Sequence, residues 1–381
     1  MTDNSVGVGG VGFDHSKKHW PQEMNVFIAL VVLIAAFEIL GRIFIGSSFL
    51  FNSQATWGDF FSGLGDGGQL VSDPWGYLGN IFSLMFNSLR LQIMILQVAI
   101  VGIIAIGVTQ VIVSGGIDIS SGSVLGATAM ITMVFAQKAM VNGSPNPTAA
   151  FSNSAFFDLP VIVPILIALT IGAIAGLING AVIAYTRISP LIATLAMMSA
   201  GRGVSVAITR GKPISFPTDS YIGIGEGMRP VLIFIVLAII FQLILNHTKY
   251  GKHCYAIGSN EEAARVSGIN IEGHKMLVYM IASMLAAVAA LVVTSKNLTA
   301  QASMGTNYEL QAITMAVIGG VSLLGGRGSI IGSVLGALIL GVIITGFTFL
   351  KLDAFFQPIL IWPILVGAAA LDVWRQRRRG R

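Results

Sequence analysis

The sequence predicts an all-α polytopic membrane protein of about ten transmembrane helices, on three observations. Hydrophobic residues make up 54% of the 381 and charged residues only 10%, against roughly 25% charged in a soluble domain. Mean hydropathy is +0.81, and the apolar residues gather into runs about as long as a bilayer is thick. The formal net charge of +5 sits largely in the segments between and beyond those runs, where cytoplasmic loops of membrane proteins concentrate Lys and Arg.

Residues 1–24 read as a mobile cytoplasmic tail, because Met1–Pro21 is polar and Gly-rich. The first apolar run follows this tail and is of spanning length, so no cleavable signal peptide is expected. Apolar runs then lie at Asn25–Ile45, Leu91–Val113, Gly122–Met140, Pro160–Tyr185, Ile188–Thr209, Pro230–Asn246, Lys275–Ser295, Leu310–Leu324, Ser329–Leu350 and Phe356–Val373. Together they define a transmembrane domain over 25–374. The run Leu310–Leu324 is short, and a re-entrant or broken helix is the alternative to a full crossing there. A basic tail at 375–381 carries Arg375, Arg377, Arg378, Arg379 and Arg381.

Charge placement orients these runs. Lys17 and Lys18, the loop 247–274 with Lys249, Lys252, Arg265 and Lys275, and the arginine tail all read as cytoplasmic. Both termini inside requires an even number of crossings, met by six before the loop and four after it. Arg187 and Arg327 then fall in short cytoplasmic turns, while Arg210 and Lys212 fall outside against the preference. The segments 46–90 and 141–159 become periplasmic, and both hold turn-forming Gly, Pro, Asn, Asp and Ser. The first also holds Trp57, Phe60, Phe61, Trp75 and Tyr77, which suit either a docking surface or a loop lying at the headgroup level.

Gly115-Gly116 followed by Gly122-Ser-Val-Leu-Gly-Ala127 recurs as Gly325-Gly326 and Gly332-Ser-Val-Leu-Gly-Ala337, at a constant offset of 210. This suggests a parallel internal repeat, with chance matching in a chain of 45 glycines as the alternative. Gly172, Gly176 and Gly180 share one helix face, as Gly332 and Gly336 do, and predict close helix packing.

Several chemistries are missing. No G-x4-G-K-[ST] loop for ATP occurs. The five histidines, His15, His19, His247, His253 and His274, all fall in predicted cytoplasmic stretches, so no intramembrane metal site and no cofactor is expected. Glu38 and Asp118 read as the only acidic residues at membrane depth, on different spans. This weighs against an ion-coupled carrier and against an intramembrane hydrolase. No basic patch with interleaved aromatics points to nucleic acid. The lone Cys254 excludes an intrachain disulfide.

The loop 247–274 contains Ser259-Asn-Glu-Glu-Ala-Ala-Arg-Val-Ser-Gly268. Ser259 and Glu262 have capping-box spacing, Glu261 and Glu262 suit the positive end of a helix dipole, and Gly268 is a natural stop. The prediction is a helix of about two turns held between two spans. It reads either as an ordinary connector or as a rigid knob that fits a groove on a partner.

Glu262-Ala-Ala-x3-Gly268 resembles the EAA-type coupling loop of bacterial ABC importer permeases. Val113-Ser-Gly-Gly-Ile-Asp-Ile-Ser-Ser-Gly-Ser-Val124 resembles the glycine-rich signature of ribose/galactose/xylose-type sugar permeases, as does Ala316-Val-Ile-Gly-Gly-Val-Ser-Leu-Leu-Gly-Gly-Arg-Gly-Ser-Ile-Ile-Gly-Ser333. Gly176-Leu-Ile-Asn-Gly180 and Pro190-Leu-Ile-Ala-Thr-Leu195 also fit. The resemblance runs from about residue 91 to the C-terminus. The longer segments 46–90 and 141–159 depart from it, and this extended form of the chain looks similar to myo-inositol-type permeases.

The resemblance implies a non-catalytic subunit of a binding-protein-dependent sugar importer in the bacterial inner membrane. It further implies a homodimer in membrane lipid, a cytoplasmic ATP-binding subunit and a periplasmic sugar-binding protein. Glu261, Glu262, Ala263, Ala264 and Gly268 are expected to form the ATPase-coupling knob. Asp118, Ser121, Asn179, Arg202 and Asn297 are candidates for a polar translocation path. Four of them have a plainer alternative: an N-cap for Asp118, snorkelling for Arg202, and helix–helix hydrogen bonds for Asn179 and Asn297. A self-contained channel or secondary carrier is the second functional reading, and a membrane-embedded enzyme the third.

Overall fold

The computed structural model describes residues 22–51, 86–151 and 156–352, with isolated positions beyond 352. Helices dominate in the order α1 (Gln22–Phe44), α2 (Ser88–Val113), α3 (Ser121–Ala136), α4 (Ile162–Thr186), α5 (Pro190–Ala207), α6 (Asp219–Gly225), α7 (Arg229–His247), α8 (Lys249–Ser259), α9 (Glu261–Val266), α10 (Ile271–Asn297), α11 (Tyr308–Ile318) and α12 (Ile330–Phe349). Seven of these are long and apolar enough to cross a membrane, and α3 and α11 are shorter apolar helices. Nine of the predicted runs thus correspond to helices. The run Phe356–Val373, the tails and most of the segment 46–90 lie outside the described residues. The apolar pattern predicts no helix at α6 or α8.

Hydrophobicity all round a helix marks a core position. α2 is the clearest case: every residue from Val98 to Val113 is buried. It packs against α7, α10, α11 and α12, while α10 also covers α3, α4 and α6. α1, α4, α5 and α7 bury one face only and leave side chains such as Val32, Ile174, Ile192 and Leu232 outward, as lipid-facing helices do.

The glycine face of α4 lies directly on α10. A methyl added at Gly176 would come 2.5 Å from the Met280 Cα, and one at Gly180 equally close to the Met276 Cα. Backbone atoms cannot yield to it. Gly176→Ala should therefore destabilise the fold by about 1–3 kcal/mol, read as a lower midpoint in thermal unfolding of the solubilised protein. Gly203, with nothing within 4 Å, is the silent control.

At 1.5 Å per residue, α3 and α11 span roughly 24 and 16 Å, less than a hydrocarbon core of about 30 Å. The run Leu310–Leu324 is not one continuous helix: α11 stops at Ile318 and a glycine turn follows. Both turns carry the same helix-ending bond pair. Gly116 N donates to Val111 O and Gly115 N to Ile112 O, with Gly115 at φ +81; Val321 N donates to Ala316 O and Gly320 N to Val317 O, with Gly320 at φ +89. This Schellman pattern favours glycine because the stop residue is left-handed. The sequence echo aligned Gly115 with Gly325, but the helix stop equivalent to Gly115 is Gly320. Gly325-Gly326 belongs to a longer second turn. The copies also differ in order, since the full-length helix precedes the first turn (α2) and follows the second (α12).

At the end opposite the loop 247–274, β1 (Met140–Val141) pairs with β2 (Ser144–Pro145), and β3 (Ile214–Ser215) pairs antiparallel with β4 (Thr299–Ala300). Tyr221 of α6 hydrogen-bonds Thr294 of α10 there at 2.7 Å.

Candidate functional site

Two groups of residues stand out: the turn-helix-turn at α9 and a buried polar cluster where α3 and α11 begin. α9 is fixed by asparagines at both ends. Asn260 is its N-cap, with Oδ1 accepting from Ala263 N at 2.9 Å, and Asn270 caps α10 by accepting from Gly273 N at 2.9 Å. The expected capping box from Ser259 is therefore not the one formed. The side chain one residue later reaches the free amide, because Asn260 holds the extended backbone (φ −163) that a cap requires. Gly268 does end the helix, at φ +83, with Ile269 N donating to Ala264 O.

Ion pairs clamp α9 to α10. Arg265 Nη1 lies 2.7 Å from Glu272 Oε1, and Lys275 Nζ 2.8 Å from Glu261 Oε2. The hydrogen bond to Glu272 raises the Arg265 guanidinium above its ordinary value. Exposed pairs such as these add little to stability, so their effect is orientation. Ala264 points inward, buried against Ile257 and Ile271. The outward surface is Glu262, Ala263, Gly268 and, missed from the sequence, Val266, which is 88% exposed. The signal was available: two residues past a buried Ala264 is about 200° round a helix. A cavity of about 410 Å³ opens between α9, the first glycine turn and the α4–α5 turn, with Arg187, Glu261 and Lys275 among its lining.

The polar cluster begins at the break after α2. Asp118 is completely buried and accepts from Ser120 N at 2.8 Å and from Ser120 Oγ at 2.6 Å. It is thus not the N-cap of α3; that position is Ser120. Asn179 of α4 donates to Ser120 Oγ at 2.9 Å, so the helix-bonding alternative and the polar cluster describe the same contact. Arg202 of α5 turns inward, donating from Nη1 to Met304 O at 2.6 Å. Asn297 is exposed in the last turn of α10 and is not among these contacts.

Glu309 corrects the inventory of acidic residues. It lies in the first turn of the apolar helix α11 and is 7% exposed. Gly122 makes room for it, since a methyl there would overlap Glu309 Oε2 and the Gly305 carbonyl oxygen. The Arg202 guanidinium and the Asp118 carboxyl act on it electrostatically. Its position immediately before the apolar run Leu310–Leu324 hid it from the sequence reading. Among the described residues, Asp118 Oδ2, Ser121 Oγ and Glu309 Oε2 are buried without a hydrogen-bond partner, as are Thr128 Oγ1 and Thr132 Oγ1 further along α3. Each such atom costs about 1–3 kcal/mol. Among the described residues, no group of three or more His, Cys, Asp or Glu is placed to hold a metal ion.

Residues 90–368 match the family described as branched-chain amino acid transport system / permease component. The ribose import permease protein of Haemophilus influenzae (strain ATCC 51907 / DSM 11121 / KW20 / Rd) is 35% identical, covering 92% of this chain and 93% of that protein. The ribose import permease protein of Escherichia coli (strain K12) is 33% identical, covering 78% and 88%. The galactose/methyl galactoside import permease protein of the same strain is 33% identical, covering 76% and 88%. No solved structure matches the chain significantly.

Proposed function

The chain belongs to the family of branched-chain amino acid transport system / permease components, and from that premise we propose that it carries a monosaccharide or polyol inward as the membrane-spanning subunit of an ATP-driven importer. It is a multi-pass inner-membrane protein and a transport subunit, not a catalyst. The observation that carries the reading is α9: a helix capped by Asn260, followed by an α10 capped by Asn270, clamped to α10 by two ion pairs and presenting Val266 outward. A rigid knob of this kind transmits force to the helices that hold it. Its partner is a cytoplasmic ATP-binding subunit, with Glu261 and Ala264 bracing the knob and Glu262, Ala263, Val266 and Gly268 meeting the partner. A periplasmic sugar-binding protein delivers solute, and a second copy of this chain completes the pathway. In this arrangement the transmembrane domain covers 25–374, and the loop 247–274 is the coupling loop.

The family description names branched-chain amino acids, whereas the relatives above are named for ribose and galactose. Chemistry favours a hydroxyl-rich solute. The orphaned oxygens of Asp118, Ser121 and Glu309 can accept hydrogen bonds from a pentose, a hexose or myo-inositol when the helices part. A branched aliphatic side chain would leave them unpaired. Arg202 and Asn179 complete this polar path, and Asn297 stays outside it.

Co-purification with the ATP-binding subunit and binding protein, followed by uptake in proteoliposomes, tests the assignment. Uptake should require both partners and ATP, and the binding protein should gain thermal stability with ribose, galactose or myo-inositol. Uptake by the chain alone would instead establish the channel or carrier reading. A thermal shift with leucine only would overturn the sugar.

A further inference from the structure

α8 leads straight into the α9 knob, and its last turn touches both glycine turns. A methyl added at Gly258 would overlap the Val113 carbonyl oxygen and lie 2.6 Å from Gly326 N. A methyl at Gly325 would lie 2.7 Å from Gly258 O and 2.9 Å from the Gly115 Cα. The two turns are bonded to each other, Gly326 N donating to Val113 O at 2.8 Å. Three backbones therefore meet at one point with no side chain between them. Flanking bonds hold α8 in the same register: Tyr250 Oη donates to Gln110 Oε1 at 2.9 Å on the first-turn side, and Tyr255 Oη donates to Gly328 O at 2.7 Å on the second.

Beyond this junction the first turn runs through Asp118 into α3, and the second runs into α12. We propose that Gly258 is a positioning residue, through which a push on the knob moves both glycine turns, and hence α3 and α12, together. The inference rests on the coupling role proposed above for α9 and adds the route by which that push reaches the polar cluster. Side chains can absorb a displacement by changing rotamer, whereas backbone in van der Waals contact with backbone cannot. Glycine is required here by the closeness of approach, since a Cβ would separate the three strands of backbone.

The test is Gly258→Ala in the complete assembly of permease, ATP-binding subunit and binding protein in proteoliposomes. In the fraction that folds and assembles, basal ATP hydrolysis should stay within about twofold of wild type, while solute moved per ATP falls at least tenfold. Should Gly258→Ala lower the yield of folded protein, Ser259→Leu carries the same test. It enlarges an exposed side chain that sits against Gly326, so it pries at the junction from its rim. Unchanged solute per ATP in a variant that assembles overturns the junction, as does a loss of transport that merely tracks the amount of assembled complex. A wild-type assembly that neither binds the ATP-binding subunit nor couples to it would instead defeat the function on which the inference rests.

Discussion

Val266→Asp should weaken binding of the ATP-binding subunit at least tenfold while leaving the permease as stable as wild type. Val266 is 88% exposed on a helix of six residues, and an apolar side chain so displayed gains nothing from the fold. Loss of a residue that acts as an interface hot spot costs about 2 kcal/mol or more, and a carboxylate put in place of Val266 would also have to be stripped of water. In the isolated permease the same substitution falls in the range of surface changes, about ±0.5 kcal/mol. The carboxylate would sit near the negative end of α9, which adds a few tenths at most. Affinity of the purified partners and thermal unfolding of the permease alone separate the two effects. Intact affinity would move the contact away from Val266, and a large fall in the unfolding midpoint would show that its exposure misrepresents its role. Glu262→Lys, beside it on the same surface, should act in the same direction and more weakly at high salt.

The long helices were legible in the sequence because a single-signed signal, sustained apolarity, decides them. α2, α4, α7, α10 and α12 each begin and end within a few residues of the runs that predict them. Gly268 was legible for a similar reason, as a helix stop needing a left-handed residue leaves little choice of side chain. The failures share a cause. Asn260 displaced Ser259 as the cap of α9 because two polar residues stand side by side, and Ser120 rather than Asp118 takes the N-cap position of α3; only the three-dimensional path of the chain selects between them. Glu309 escaped because its burial depends on Gly122, nearly two hundred residues away in sequence. The meeting of the two glycine turns at Gly258 is equally non-local. Repetition announced that the turns were related, and nothing in the spacing announced that they touch.

Glu309→Leu should reduce transport at least tenfold without destabilising the permease, and Glu309→Gln should retain most of it. One oxygen of this carboxyl is left unserved in the structure. Glu309 Oε2 is buried with no hydrogen-bond partner, in a side chain 93% withdrawn from solvent by its 7% exposure. Removing an unpaired buried acceptor removes its desolvation cost, and Leu is shorter at the tip that presses on Gly122. If the carboxyl served only the fold, the Leu variant should be at least as stable and as active as wild type. If instead it accepts hydrogen bonds from a hydroxyl-rich solute as α3 and α11 part, Leu removes the acceptor and Gln keeps one. Thermal unfolding, ATP hydrolysis and uptake measured on the same reconstituted samples give the three readings together. A stable Glu309→Leu permease that transports normally would take Glu309 out of the pathway and leave Asp118 and Ser121 to account for it.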